Sequence, residues 1–136
     1  MSITSYRDLE VWKKSVALVT TIYQVTAKFP KEEIYGLTSQ IRRSAVSIPS
    51  NIAEGRGKRS TRDFIRYLNI SYGSVCELET QLVIAGNLQL LDVVSVENIL
   101  ESISEIARML NGLISSLELK LSSPESRMQN AESYGT

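Results

Sequence analysis

The sequence contains no histidine and a single cysteine, Cys76, so several kinds of chemistry have no residues to build on. A disulfide within the chain is impossible, and zinc or haem would find almost no ligands. Neither a Ser-His-Asp triad nor a Cys-His nucleophile pair can be assembled, and a di-iron centre of the Glu-x-x-His type is excluded. The remaining carboxylates and lysines are not clustered. We therefore expect no catalytic residue, no metal, no cofactor, no small-molecule substrate and no enzyme activity.

Long apolar runs are also missing. No stretch approaches the roughly 18 uninterrupted apolar residues that a membrane-spanning helix needs. Arg7 and Asp8 lie where a signal peptide would place its apolar core. The chain has 136 residues, of which 43% are hydrophobic and 22% charged, which is ordinary for a single folded domain. These features predict a cytoplasmic protein without membrane contact.

Glycine and proline are scarce and divide the chain into four long stretches, within which apolar residues recur at spacings of three and four. This periodicity predicts an all-α fold, an up-and-down antiparallel four-helix bundle whose helices cross at about 20°. We assign residues 1–121 to the bundle. Residues 122–136 have no periodicity and are expected to form a flexible C-terminal tail.

The helix boundaries follow from the same pattern. The first helix is expected from about Asp8 to Lys28. Its core stripe is predicted to be Leu9, Trp12, Val16, Val19 and Tyr23, widened by Leu18, Ile22, Val25 and Phe29. Ser60 is expected to cap the third helix and Ser95 the fourth.

The second helix, expected from about Leu37 to Ala53, contains Pro49. Proline has no N–H, so the carbonyl of Ala45 loses its hydrogen bond and the helix is predicted to kink there. Ser47 and Asn51 are predicted to hydrogen-bond the backbone that Pro49 frees, and Gly55 to end the helix.

Charge is distributed unevenly along the chain, although the net charge is zero. Residues 1–66 hold 12 Lys and Arg against 6 Asp and Glu, whereas residues 67–136 hold 3 against 9. Seven cations lie between positions 42 and 66, with only two anions among them. They are Arg42, Arg43, Arg56, Lys58, Arg59, Arg62 and Arg66. Arginine pairs well with phosphate oxygens, so these residues are the candidate nucleic-acid-binding site, for RNA or DNA.

Part of this segment has helical spacing. Arg59, Arg62 and Arg66 are three and four residues apart and are expected to share one helical face. The neighbouring glycines, from Gly55 to Gly57, would let backbone N–H groups approach a phosphate. Two other interpretations stay open, since a charged run is often simply solvated and arginines also pair with carboxylates between helices or protomers.

We expect three glutamates, Glu54, Glu77 and Glu79, to have structural roles. Arg42 or Arg43 could pair with Glu77 or Glu79 across a subunit contact, and Glu54 with a nearby arginine. Glu77 and Glu79 are two residues apart and face different sides of a helix, so they are not an acid–base pair.

Two blocks of residues carry a resemblance to a known family. The first block is Gln40, Arg43, Ser47, Ile48, Asn51, Ile52, Ala53, Glu54 and Gly55, and the second is Glu77, Leu78, Glu79, Gln81 and Leu82. With the opening segment from Tyr6 to Trp12, they make residues 6–120 resemble the bacterial four-helix-bundle family known as 23S ribosomal RNA intervening-sequence proteins.

The resemblance implies an up-and-down bundle that assembles as a homopentameric ring. A related branch is the accessory variability protein of diversity-generating retroelements, in which the ring partners a reverse transcriptase and binds nucleic acid. We therefore predict a non-enzymatic, oligomeric bundle protein of poorly defined role that associates with RNA through a basic surface. The alternative is a protein-interaction adaptor, such as an accessory subunit of a retroelement reverse transcriptase.

Overall fold

Four long helices account for most of residues 5–122, which are the residues that the computed structural model describes. A 3₁₀ turn at Tyr6–Asp8 precedes the first helix, and a second one at Lys31–Glu33 lies between the first two. The helices are α1 (Glu10–Thr26), α2 (Leu37–Arg56), α3 (Thr61–Asn87) and α4 (Val93–Ser122). Each packs against the next, and α4 also contacts α1, so the predicted four-helix bundle is confirmed. Residues 5–122 contain no strand.

Isoleucine and leucine from all four helices fill the interior. The most deeply buried are Ile22, Ile41, Ile48, Ile52, Leu68, Leu78, Leu82, Ile103, Ile106 and Leu110. Most of them recur at intervals of three and four residues, so each helix turns one face inward. The predicted spacing of three and four residues between apolar positions is confirmed on the buried faces of α2, α3 and α4. Among adjacent helices, α2 and α3 pack most extensively and α1 and α4 least.

The stripe predicted for α1 is confirmed at Leu9, Leu18, Ile22 and Phe29, which are buried, but was wrong at two positions. Val16 and Tyr23 are 37% and 43% exposed. Besides the predicted Leu18 and Ile22, α1 buries three residues outside the predicted stripe, namely Val11, Ser15 and Thr26. The hydroxyls of Ser15 and Thr26 donate to backbone carbonyls of the preceding turn, at 2.9 and 2.7 Å. Small hydroxyl residues that bond within their own helix can occupy core positions, which a search for apolar residues alone passes over.

The helix starts confirm one predicted cap and correct another. The Ser60 hydroxyl accepts from the Asp63 N–H at 3.0 Å, as expected of a cap for α3. Ser95, by contrast, lies inside α4, whose first residue is Val93. The carboxylate of Asp92 takes the capping role, because Ser95 donates to it through its N–H at 3.1 Å and through its hydroxyl at 2.6 Å. These two bonds lower the pKa of Asp92 below its ordinary value.

α2 and α4 extend beyond their predicted ends, whereas α1 ends at Thr26, two residues before its predicted end. α2 continues through the buried Pro49 to Arg56, three residues past the expected end. The expected kink at Pro49 stays a prediction. α4 continues to Ser122, so the first residue of the predicted tail is helical. The rest of that prediction, residues 123–136, lies outside the described residues.

Candidate nucleic-acid interface

The link between α2 and α3 is four residues long, from Gly57 to Ser60. Gly57 follows the last residue of α2 in an ordinary right-handed conformation, with φ −76°. Lys58 and Arg59 come next and are exposed. The N–H groups of Gly57 and Lys58 donate to the carbonyls of Ala53 and Gly55, at 3.1 Å each. The prediction that backbone N–H groups at these glycines face a phosphate was therefore wrong, because the turn of the chain already uses them.

Gly55 has a packing role. It lies within α2, one residue before its end, so the prediction that it stops the helix was wrong. A Cβ atom at this position would lie 2.6 Å from the Cβ of Tyr67 and 3.1 Å from the Cδ1 of Phe64. Separations under 3.0 Å are not tolerated without a shift of one of the two helices. Gly55 thus allows α3 to approach α2 closely beside the link that carries the basic residues.

A cleft of about 320 Å³ opens at this end of the bundle, between the α2–α3 link and the last turns of α4. Four cations line it, namely Arg56 at the end of α2, Lys58 and Arg59 in the link, and Lys120 near the end of α4. Ser60 and Thr61, at the start of α3, lie on the same cleft. We call this region the basic cleft.

Two further cations lie on α3 beside the basic cleft. Arg62 and Arg66 are exposed and one helical turn apart. The Arg66 guanidinium lies 4.8 Å from the centroid of the Tyr67 ring, and the Lys58 ammonium lies 5.2 Å from it. Both distances are typical of cation–π contacts. Arg59 precedes the helix, so the prediction that it shares a helical face with Arg62 and Arg66 was wrong.

Arg42 and Arg43 lie elsewhere. Arg42 is fourteen residues from Arg56 on the same helix, which places it about 21 Å away along the axis. Its Nε donates to the Thr26 hydroxyl at 2.9 Å and its Nη2 to the Tyr23 carbonyl at 3.3 Å. Its guanidinium also lies 4.4 Å from the centroid of the Tyr23 ring. Arg42 therefore ties α2 to the end of α1, while Arg43 is exposed, and neither residue reaches the basic cleft.

Small polar side chains join α2 to α3 in the middle of the bundle. The hydroxyls of Ser47 and Ser74 lie 2.8 Å apart, and the buried Ser71 hydroxyl donates to the Ile48 carbonyl at 3.0 Å. The Asn51 side chain donates to the carbonyl and hydroxyl of Ser47, at 2.8 and 2.9 Å. The carbonyl that Pro49 deprives of a donor belongs to Ala45, so Asn51 does not serve the predicted group. Ser47 instead contributes to the α2–α3 contact, and Asn51 bonds to Ser47 within α2.

The glutamates have separate surroundings. Glu77 on α3 accepts a hydrogen bond from the Ser44 hydroxyl of α2 at 2.9 Å. Glu79 and Glu54 are exposed, and the expected pairing of Glu54 with an arginine stays a prediction. Pairing of Arg42 or Arg43 with Glu77 or Glu79 between protomers is likewise a prediction still.

The α1–α4 side carries an ion pair between helices. Lys14 Nζ and Glu105 Oε1 lie 2.7 Å apart across a groove of about 280 Å³. Their hydrogen bond raises the pKa of Lys14 and lowers the pKa of Glu105. This pair lies on the open seam of the bundle and contributes no charge to the basic cleft.

Comparison with known proteins identifies the family of this chain. The profile of the family described as 23S rRNA-intervening sequence protein matches residues 7–112. The chain belongs to this family. The search of curated proteins found no match.

Among solved structures, this 23S rRNA-intervening sequence protein is similar to a protein of the S23 ribosomal protein family from Bacteroides thetaiotaomicron, whose function is described as unknown. The two chains are 28% identical, with a TM-score of 0.70. The match covers 76% of this chain and 97% of the other. Neither the family's description nor that of the solved structure names an enzyme.

Two findings bear on other classes of site in this member of the 23S rRNA-intervening sequence family. Between residues 5 and 122, no three His, Cys, Asp or Glu side chains lie close enough together to hold a metal ion. None of the helices in that part of the chain combines the length and the hydrophobicity required to traverse a bilayer.

Sequence reasoning missed one cation of the cleft, Lys120. It is more than fifty residues from the nearest other cation of the cleft, so no local motif connects them. The antiparallel topology brings Lys120 to the other cations, because α4 ends at the same end of the bundle at which α2 ends and α3 begins. An isolated lysine near the end of the last predicted helix was the available signal.

Proposed function

We propose that this protein is a non-enzymatic, oligomeric protein that associates with RNA through the basic cleft and the neighbouring Arg62 and Arg66. The observation that supports the proposal is the convergence of cations from α2, the α2–α3 link and α4 on one cleft. No local sequence feature would bring Lys120 to Arg56, so the fold itself concentrates positive charge at this end.

The chemistry of the cleft suits phosphate. Arginine guanidinium groups pair with two phosphate oxygens at once, and lysine ammonium groups act as compact point charges. The first turn of α3 adds the positive end of a helix dipole, which favours an anion beside Ser60 and Thr61. Contacts of this kind position a nucleic acid without reading its sequence. We therefore expect binding that depends strongly on salt and weakly on base sequence.

Charge reversal tests the proposal directly. Lys58→Glu combined with Arg59→Glu inverts two exposed charges of the cleft. Binding to a structured RNA with unpaired loops is measured by fluorescence anisotropy across a salt series. We expect the double variant to bind at least about tenfold more weakly at low salt, and the slope of log K against log salt to fall by about 1.4, since each phosphate contact contributes about 0.7.

Lys28→Glu combined with Lys31→Glu is the matched control. These two exposed lysines lie at the opposite end of the bundle, in the connection between α1 and α2, and give the same change in net charge. The control should bind RNA nearly as the wild type does. The proposal fails if the wild type shows no salt-sensitive binding, or if both double variants weaken binding equally.

Self-association is the second part of the proposal, and an apolar patch at the far end of the bundle supports it. Five hydrophobic residues of α3, α4 and their connection are 42–71% exposed there, namely Val83, Ile84, Leu88, Val93 and Val94. Val83 and Val93 line one groove at this end, and exposed apolar surfaces commonly mark protein contacts. We propose that this patch joins protomers in a ring, with five copies as the resemblance implies.

Light scattering at micromolar concentration measures the assembly directly. A ring would have several times the mass of one chain, which is 15.2 kDa. A particle with the mass of a single chain would overturn the proposed ring. Leu88→Glu combined with Val93→Glu should shift the mass toward a single chain.

The same apolar patch favours the second candidate function, an adaptor that binds another protein, for example a retroelement reverse transcriptase. The adaptor function predicts that Leu88→Glu and Val93→Glu abolish binding to such a partner while charge reversal at the basic cleft leaves it intact. Salt-sensitive RNA binding with no affinity for the partner would exclude it.

A further inference from the structure

The basic cleft is not uniformly polar. Its lining also includes four apolar side chains, from Leu9 before α1, Phe64 of α3, and Leu113 and Leu117 of α4. Leu9 is buried and the other three are half-buried. The cleft therefore combines an apolar floor with a cationic rim. We call these four residues the apolar floor.

A phosphate group alone would not need this floor. Phosphate contacts are satisfied by an exposed basic ledge, whereas an apolar surface left open to water is unfavourable. A ligand that suits both parts carries a negative charge and a flat apolar body next to it. A nucleotide has this character, because its flat base has an apolar face and is joined to the charged phosphate through the sugar.

The size of the cleft limits how much nucleic acid it can take. Its volume of about 320 Å³ is close to the lower end of ligand pockets, which begin near about 300 Å³. That volume suits one nucleotide and excludes a duplex. In a duplex the bases are stacked on one another, so their faces cannot reach the apolar floor unless a base leaves the stack.

We propose that the basic cleft holds one unpaired nucleotide, with its phosphate against the rim cations and its base against Phe64 and Leu117. This inference rests on the proposed function and gives it a ligand class, single-stranded nucleic acid. The preference comes from the base face and not from charge, because a duplex of equal length carries twice as many phosphates and would bind better on charge alone.

Three probes of equal length separate the contributions. The first is a single-stranded 12-nucleotide RNA without self-complementarity, the second is the same RNA annealed to its complement, and the third is an abasic strand with the same phosphates and no bases. For the wild-type protein we expect the intact single strand to bind about tenfold more tightly than either of the others, in line with the contribution of one stacked base.

Leu117→Gln makes the floor polar at constant charge and similar length. We expect it to remove the preference for the intact strand while leaving binding to the abasic strand unchanged. Leu119→Gln is the matched control, since Leu119 lies two residues away on α4 and is 72% exposed. It should keep the preference. Phe64→Leu serves as a second variant of the floor and should reduce the preference without changing the salt slope.

The outcomes distinguish this inference from the function on which it rests. If all three probes bind alike and the Lys58→Glu and Arg59→Glu variant weakens each of them, the phosphate contact stands and the nucleotide pocket is overturned. If no probe shows salt-sensitive binding, both fail. A preference for the intact strand that survives Leu117→Gln and Phe64→Leu also overturns the inference, because the base would then bind elsewhere.

Discussion

The α2–α3 contact and the α1–α4 contact close the same bundle by different means. Where α2 meets α3, Gly55 brings the two backbones together and small hydroxyls such as Ser71 bond across the interface. Where α1 meets α4, a groove remains and Lys14 and Glu105 bridge it. Close packing holds the first contact, and an exposed ion pair spans the second. The basic cleft thus borders the most extensive contact between helices within residues 5–122.

The largest expected effect is that of Gly55→Ala. Its Cβ would lie 2.6 Å from that of Tyr67, so α2 and α3 must separate. Overpacking of this kind destabilises a fold by about 1–3 kcal/mol. Urea denaturation should give a free energy of unfolding lower by that amount.

Gly112→Ala is the control, because a Cβ there meets nothing within 4 Å on the outside of α4. It should raise the free energy of unfolding by up to about 1 kcal/mol, the difference in helix propensity between alanine and glycine. Equal effects of the two substitutions would show that the α2–α3 contact is no closer than the rest of the surface.

A smaller loss is expected for Ser71→Ala. The Ser71 hydroxyl is fully buried and donates across the interface to the Ile48 carbonyl at 3.0 Å. Removing one such hydrogen bond costs about 1 kcal/mol of stability. Ser116→Ala on the exposed side of α4 is the control and should change the free energy of unfolding very little. If Ser71→Ala does not lower the free energy of unfolding, apolar packing alone stabilises the α2–α3 contact.

The α1–α4 ion pair should matter less. Lys14→Met removes the charge that bridges the groove, but both partners are exposed and exposed ion pairs contribute little to stability. We expect Lys14→Met to change the urea midpoint less than Ser71→Ala does. The effect of Lys14→Met should disappear at high salt, which screens exposed charges. A loss as large as that of Gly55→Ala, independent of salt, would contradict the difference between the two contacts.

The pH dependence of stability gives the smallest effect and has a definite sign. Glu105 has a lowered pKa in the folded state, so its contribution is complete above the ordinary glutamate range and is lost as the pH falls through the lowered value. Lys14 has a raised pKa, so its contribution is complete below the ordinary lysine range and is lost as the pH rises through the raised value.

Glu105→Gln should therefore flatten the acid side of the stability profile slightly, as measured by thermal unfolding between pH 2 and 6. Asp92, whose pKa is also lowered, keeps its own acid loss in that variant. A steeper acid loss in Glu105→Gln than in the wild type would contradict the assignment.

The fold was accessible from the sequence because the apolar periodicities of α2, α3 and α4 coincide with their buried faces. The core face of α1 was accessible only in part. Leu18 and Ile22 were predicted, but Ser15 and Thr26 also occupy this face and carry no hydrophobic signal. The start of α4 was missed for a related reason, because Asp92 and Ser95 are both possible caps and only their mutual hydrogen bonds decide between them.

The candidate site was accessible only in part. The cations of the α2–α3 link and of α3 lie together in the sequence and in space. Arg42 is close to them in the sequence but faces Thr26 and Tyr23, a contact that depends on where α1 ends. Lys120 is distant in the sequence and adjacent in space. Pairings of this kind come from the packing of helices, which local spacing does not specify.

Hydrogen–deuterium exchange with and without single-stranded RNA tests most directly whether the two ends of the bundle differ in function. Residues 56–66 and the end of α4 near Lys120 should exchange more slowly when RNA is bound, while the α1–α2 connection, residues 27–36, should be unchanged. Protection confined to residues 27–36, or spread evenly over both ends, would contradict the assignment of RNA binding to the basic cleft.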